Sequence, residues 1–249
     1  MPVPLSDTVF ITGGTSGIGE GLARAFHARG ATVIVSGRDP AALARLAAAV
    51  PGIEAVRLDV TDAAAVAACA ADLGARFPGL STVISNAGVQ RVLDFRGEPP
   101  TPGELDLEVD TNLKGLLYVA AAFLPVLRRQ PAARLVHVGS GLAFVPLVQA
   151  PVYSATKAAV HTFTVSLRAQ LRGGPVQVVE LIPPVVATNL HRGQARTPPR
   201  AMPLDVFVAK AMRALDSGAD ELPVGLAGVL RAGARVAPRF FLGVVNKAR

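Results

Sequence analysis

Thr8-Val9-Phe10-Ile11-Thr12-Gly13-Gly14-Thr15-Ser16-Gly17-Ile18-Gly19 is the stretch on which the reading of this chain turns. An apolar, β-rich run from Thr8 to Ile11 ends in a glycine-rich turn, and a helical run from Gly17 to Ala28 starts at once. Glycine at 13, 17 and 19 permits a tight turn, lets backbone N–H groups approach a pyrophosphate, and allows the helix to pack closely on the strand. The helix N-terminus, with its unpaired N–H groups, then faces the anion. A glycine-rich turn alone also marks an ordinary loop. The strand before and the helix after make this one a dinucleotide-binding turn, with Thr15, Ser16 and Ile18 completing its lining.

The same alternation continues outward. Thr32 to Ser36 precedes a helical run from Pro40 to Val50, and Ile53–Leu58, Thr82–Ser85, Leu135–Val138, Val176–Leu181 and Glu221–Val224 read as further short buried strands with Ala-rich helical segments between them. Strands apolar on both faces and joined by helical crossovers predict an α/β fold, a Rossmann-like doubly wound parallel sheet of about seven strands flanked by helices. The Pro-rich stretches at 98–102 and 196–203 fall between elements, so residues 1–249 read as one nucleotide-binding domain.

Hydrophobic residues make up 51% and charged residues 17% of the chain, enough to build a core and unlike a disordered composition. The apolar stretches are too short and too interrupted for a transmembrane helix. Met1 to Asp7 carries no basic residue ahead of the first apolar run, unlike a secretory signal, which predicts a cytoplasmic protein. The net charge of +7 is scattered from Arg24 to Arg249, which argues against nucleic acid as a partner. Cys69 is the only cysteine and reads as a helix-face residue, and the four histidines show no short ligand pair, so no metal is expected.

Gly37 and Arg38 stand at the tip of the second strand, where dinucleotide folds place a carboxylate for free ribose hydroxyls or an arginine for a 2′-phosphate. Arg38 favours NADP(H) over NAD(H), although Asp39 follows it and Ser16 offers no positive charge. Leu58-Asp59-Val60-Thr61 and Ser85-Asn86-Ala87-Gly88 lie at the carboxyl ends of two more strands, where ligands bind. By itself Asp59 also reads as an N-cap for the next helix.

Tyr153 and Lys157 stand four apart at the start of a helical run to Leu171 and share one helix face. A phenolate working near neutrality needs a shift of roughly 3 pKa units, about 4 kcal/mol, and nearby positive charge from Lys157 and an oxidised nicotinamide supplies part of it. Ser140 follows a strand, so the sheet edge delivers its hydroxyl to the same crevice, where it can hold a substrate oxygen.

Taken together, the glycine turn, Asp59-Val60, Ser-Asn-Ala-Gly, Asn112, Ser140, Tyr-x3-Lys and Pro183-x4-Thr188 resemble, in order and spacing, the short-chain dehydrogenase/reductase family. The wording around Ser140–Phe144 and Pro183-Pro184 is similar to its DltE-like branch. The resemblance covers roughly residues 5–225. It implies that Asp59 and Val60 contact adenine, that Asn86, Ala87 and Gly88 line the ribose side, and that Val186 and Thr188 meet the nicotinamide carboxamide. It implies catalysis by Asn112, Ser140, Tyr153 and Lys157, with Asn112 holding a water near the lysine and Lys157 reaching the ribose hydroxyls. Pro184 replaces a family glycine, which alters the loop's shape and its amide contacts.

The implied activity is NADP(H)-dependent interconversion of a carbonyl and an alcohol on a small molecule. The alternative is a dinucleotide-binding redox sensor or scaffold without turnover. The family also implies a homodimer or homotetramer built on the long helices before and after Ser140. Substrate contacts are expected from 90–95, 141–146 and a loop at about 189–202, with Phe144, Val145 and Leu147 predicting an apolar pocket. The basic, apolar tail 225–249 carries Arg231, Arg235 and Arg239 at four-residue intervals, on one side of a helix. An oligomer contact or pocket cover is favoured for it over a membrane surface, because Gly228, Gly233 and Pro238 weaken a continuous amphipathic helix.

Overall fold

The computed structural model describes residues 8–191 and 201–247. Seven strands form one parallel sheet: β1 (Thr8–Thr12), β2 (Thr32–Gly37), β3 (Glu54–Arg57), β4 (Thr82–Ser85), β5 (Ala133–Val138), β6 (Val176–Ile182) and β7 (Glu221–Pro223). Their order across the sheet is β3-β2-β1-β4-β5-β6-β7. The crossovers are α1 (Gly17–Ala28), α2 (Pro40–Ala49), α3 (Ala63–Arg76), α4 (Pro102–Glu108), α5 (Gly115–Leu127), α6 (Pro151–Gln170) and α7 (Leu204–Asp216), and after β7 come α8 (Leu226–Val236) and α9 (Pro238–Lys247). The chain thus winds outward from β1 in one direction, returns, and continues from β4 in the other. That reversal opens a crevice at the carboxyl ends of β1 and β4.

Each sheet face is buried by its own helices, because the inner strands present apolar side chains on both sides. On one face Val9, Ile11 and Val35 pack under Leu22 and Phe26 of α1 and Phe207 and Met212 of α7. On the other Phe10, Val83 and Leu135 pack under Leu73 of α3 and Phe123 of α5, with the rings of Phe10 and Phe123 stacked 4.9 Å apart. The strand β3 departs from the expectation of a buried strand: it forms the sheet edge and leaves Arg57 exposed and the rest half-buried.

Local chemistry sets the helix starts. Pro40 fits the first turn of α2, and Asp39 accepts from the Ala41 N–H at 2.9 Å. For α3 the cap is Asp62, which accepts from the N–H groups of Ala64 and Ala65. Asp59 is therefore not the N-cap that its position also allowed. It accepts instead from the N–H and hydroxyl of Thr61, two residues further on.

Candidate functional site

The glycine turn begins the site. Gly13 and Gly17 have φ of 63° and 54°, the left-handed region where side chains are strained. A Cβ on Gly13 would stand 2.8 Å from the Ala87 Cα, and one on Gly17 would meet Thr188 at 3.3 Å. These contacts draw the turn, the end of β4 and the segment after β6 around one space. Thr12, which the sequence reading passed over, ties the first two together. Its hydroxyl accepts from the N–H groups of Asn86 and Ala87 at 3.0 and 3.1 Å, and the Asn86 amide donates back to the carbonyls of Thr12 and Gly13.

The crevice that these segments begin measures about 800 Å³. It is lined by Gly13, Thr15, Ser16, Gly17 and Ile18, by Arg38, by Asp59 and Val60, by Asn86, Ala87 and Gly88, by Ser140, Tyr153 and Lys157, and by Val186 and Thr188. Two expected residues act from behind the wall: Gly19 is buried, with Gly13 and Asn86 where its Cβ would go, and Asn112 is buried beside Gly88.

At one end Arg38 is more than half exposed, with its guanidinium 4.0 Å from the Asp59 carboxylate. Arg45 of α2 also lines this end. No motif marks Arg45 in the sequence, because its place here depends on which side of α2 faces the crevice. Asp39, the neighbour that weighed against a phosphate, caps α2 and also lines this end of the crevice.

At the other end Tyr153 and Ser140 face the same space, and Ser140 accepts from the Leu142 N–H at 3.1 Å. Lys157 donates to the Val138 carbonyl at 2.9 Å and sits 5.7 Å from the centre of the Tyr153 ring. Asn112 lies in a widened helical turn, Val109–Lys114. Its amide bridges both backbone groups of Val89 at 2.8 and 2.9 Å and reaches the Thr156 hydroxyl at 3.3 Å. Burial pushes the Tyr153 hydroxyl up to about 12, Ser140 pulling it down and Glu108 pushing it further up. Burial, and not the downward pull expected from Lys157, sets the direction, so the phenol is held protonated. The same burial brings Lys157 down to about 8.

The apolar wall differs from expectation. Val145 and Leu147 are packed inside the protein, and Phe144 stands edge-on to His161, so none of the three lines the crevice. Leu142, Leu190 and Leu230 supply apolar lining instead, and Gln90 and Arg91 polar lining. Of the loop at 189–202, residues 192–200 lie outside the described residues. Pro184 lines the crevice, and around it the Pro183 carbonyl accepts from Gly141 N–H at 3.0 Å, and Val185 and Ala187 pair with Met202.

The tail folds into two helices over this wall. Gly233 leaves the space that the Phe241 ring fills, and the chain breaks at Ala237 before Pro238 starts α9. Arg239 therefore falls on a different helix from Arg231 and Arg235, and Arg231 pairs with Glu221 of β7. Val245 packs against Leu147 and Tyr153, and Asn246 bonds the backbone of Val148 and Pro146. Among the described residues no helix is long and apolar enough to cross a membrane.

A sequence model of the family described as short chain dehydrogenase matches residues 7–198. The uncharacterized oxidoreductase DltE of Bacillus subtilis (strain 168) is 40% identical over 187 residues, 75% of this chain and 74% of that one. A short chain dehydrogenase from Burkholderia cenocepacia J2315, solved in complex with NADP, has a TM-score of 0.83 at 28% identity, covering 96% of this chain and 97% of the other. The 3-ketoacyl-(acyl-carrier-protein) reductase from Brucella melitensis, complexed with NADH, has a TM-score of 0.79 at 26% identity, covering 88% and 96%.

Proposed function

Since the chain belongs to the short-chain dehydrogenase family and is an NAD(P)-dependent oxidoreductase, we propose that it interconverts a small-molecule carbonyl and alcohol with NADP(H) as the preferred cofactor. The observation that carries this reading is the meeting of Tyr153, Ser140 and Lys157 in one crevice that begins at a glycine turn. The cradle fits a dinucleotide: side chains at Gly13 or Gly17 would fill it, and the start of α1 supplies unpaired N–H groups for a pyrophosphate. When bound, the nicotinamide supplies or takes up a hydride.

In the reductive direction Ser140 orients the carbonyl oxygen and Tyr153, held protonated by its burial, gives it the proton. Lys157 offsets the charge left on the phenolate, and Asn112 braces the Val89 backbone and α6 around it. Lys157 is charged below about pH 8 and loses that charge as pH rises through it, so the reductive rate falls on the alkaline side. A screen of aldehydes and ketones for carbonyl-dependent NADPH oxidation tests the function. Tight NADPH binding without oxidation across the screen would favour a sensor or scaffold.

The preference for NADP(H) rests on Arg38 and Arg45, two cations against the single carboxylate Asp39 beside them at the adenine end. Arg38→Asp is expected to weaken NADPH about tenfold, ~1.4 kcal/mol, while NADH is held or improved. Fluorescence titration of both cofactors checks it, and an unchanged ratio of affinities refutes the role of Arg38.

The tail is part of the substrate pocket on this reading, through Leu230 in the wall and Val245 behind Tyr153. Truncation after Gly225 is expected to raise KM for the carbonyl substrate about tenfold and increase binding of an apolar dye, with NADPH affinity preserved. Unchanged KM and dye signal would remove the tail from the pocket.

A further inference from the structure

β6 places Glu180 wholly inside the protein, directly behind the crevice. A buried carboxylate is costly unless paired and hydrogen-bonded. Its Oε2 lies 2.7 Å from Nδ1 of His161, and its Oε1 has no hydrogen-bond partner. That second oxygen occupies the place where a Cβ on Gly139 would stand. Gly139 adjoins Val138, whose carbonyl accepts from the Lys157 ammonium. The carboxylate and the ammonium therefore abut one short piece of backbone at the end of β5. His161 extends the face of α6 on which Tyr153 and Lys157 already recur at intervals of four.

We propose that Glu180 and His161 form a positioning pair for Lys157, the carboxylate serving as its buried counter-charge and the imidazole holding that carboxylate in place. Neither residue touches the reacting atoms. A structural pin between α6 and β6 would be served as well or better by two apolar side chains, since buried ionic pairs rarely outperform them. What such a pair adds is charge beside a buried ammonium whose hydrogen bond is to a neutral carbonyl.

The electrostatics agree in sign. Burial lowers Lys157 and Glu180 raises it; burial raises Glu180 and His161 lowers it. Arg168 of α6 and Glu221 of β7 also face Glu180, with opposite effects, and pair with each other at 3.3 Å. Glu221 is matched further by Arg231 of α8. His137, the register partner of Glu180 on β5, is pushed down to about 3 by burial and stays neutral.

The inference rests on Lys157 being the cation of the proposed active site, but its test needs no turnover. The chain has four lysines, Lys114, Lys157, Lys210 and Lys247, so lysine 13Cε signals can be followed through a pH titration by NMR and Lys157 assigned with K157R. Glu180→Gln is expected to lower the Lys157 pKa by about one unit. His161→Leu moves it the same way, by depriving Glu180 of its partner, and the double variant moves it little further. Should E180Q fail to fold, H161L carries the titration, because His161 keeps 21% of its side chain exposed. A Lys157 titration that does not move in a folded variant overturns the proposal and leaves the pair as a pin. With an active carbonyl substrate, the alkaline limb of the rate profile shifts down with the Lys157 pKa. A chain that shows the titration shift but oxidises no NADPH would sink the reductase reading alone.

Discussion

Tyr153→Phe is expected to lower kcat by about 1,000-fold while leaving NADPH affinity within about twofold of the parent. The substitution removes one oxygen from a side chain that is only 6% exposed, so the ring still fills its place against Leu147 and Ala150. What disappears is the hydroxyl that, on the proposed mechanism, gives its proton to the substrate oxygen. The phenol is pushed up to about 12 by burial, so the proton is present throughout the neutral range and its loss cannot be offset by lowering the pH. Stopped-flow oxidation of NADPH, paired with a binding titration, separates turnover from binding. A variant that keeps most of the parent rate on a good substrate would transfer the proton step to another group.

Gly13→Val is expected to weaken NADPH by about 100-fold or more, ~2.7 kcal/mol. Two effects act together. A β-branched residue at φ 63° is strained wherever it sits, and its Cβ would stand 2.8 Å from the Ala87 Cα, inside the space where β1 and β4 converge. Relief requires moving the turn away from Asn86, which bonds the Gly13 carbonyl at 3.1 Å, and that moves the N–H groups which would receive a pyrophosphate. Thermal unfolding recorded beside the titration separates lost binding from lost fold. Parent-like affinity in a folded Gly13→Val protein would show that the turn does not hold the cofactor.

The parts of this protein that were legible in the sequence are those in which neighbours in the chain are neighbours in space. Ile11, Gly13, Gly17 and Gly19 prescribe strand, turn and helix within twelve residues, and α1 runs from Gly17 to Ala28 as the pattern predicts. Tyr153 and Lys157 meet because four residues make one helical turn, and Ser140 reaches the crevice because it follows a strand whose carboxyl end opens there. The alternation of apolar strands with helical runs established a parallel sheet for the same reason, since a crossover helix leaves no other simple return.

Tertiary structure decided what depends on contacts between distant segments. Arg38 and Arg45 share one end of the crevice with Asp59 and Val60, which the third strand brings there. Phe144, Val145 and Leu147 carry the apolarity of a pocket wall, but Leu142, Leu190 and Leu230 hold the position. Glu180 reads as one charge in an apolar strand until β5, β6 and α6 bring Gly139, His161 and Lys157 around it. Residue type and spacing specify local geometry through backbone sterics and helix period, whereas burial, and with it every shifted proton affinity in the site, is set by which distant surfaces exclude water together.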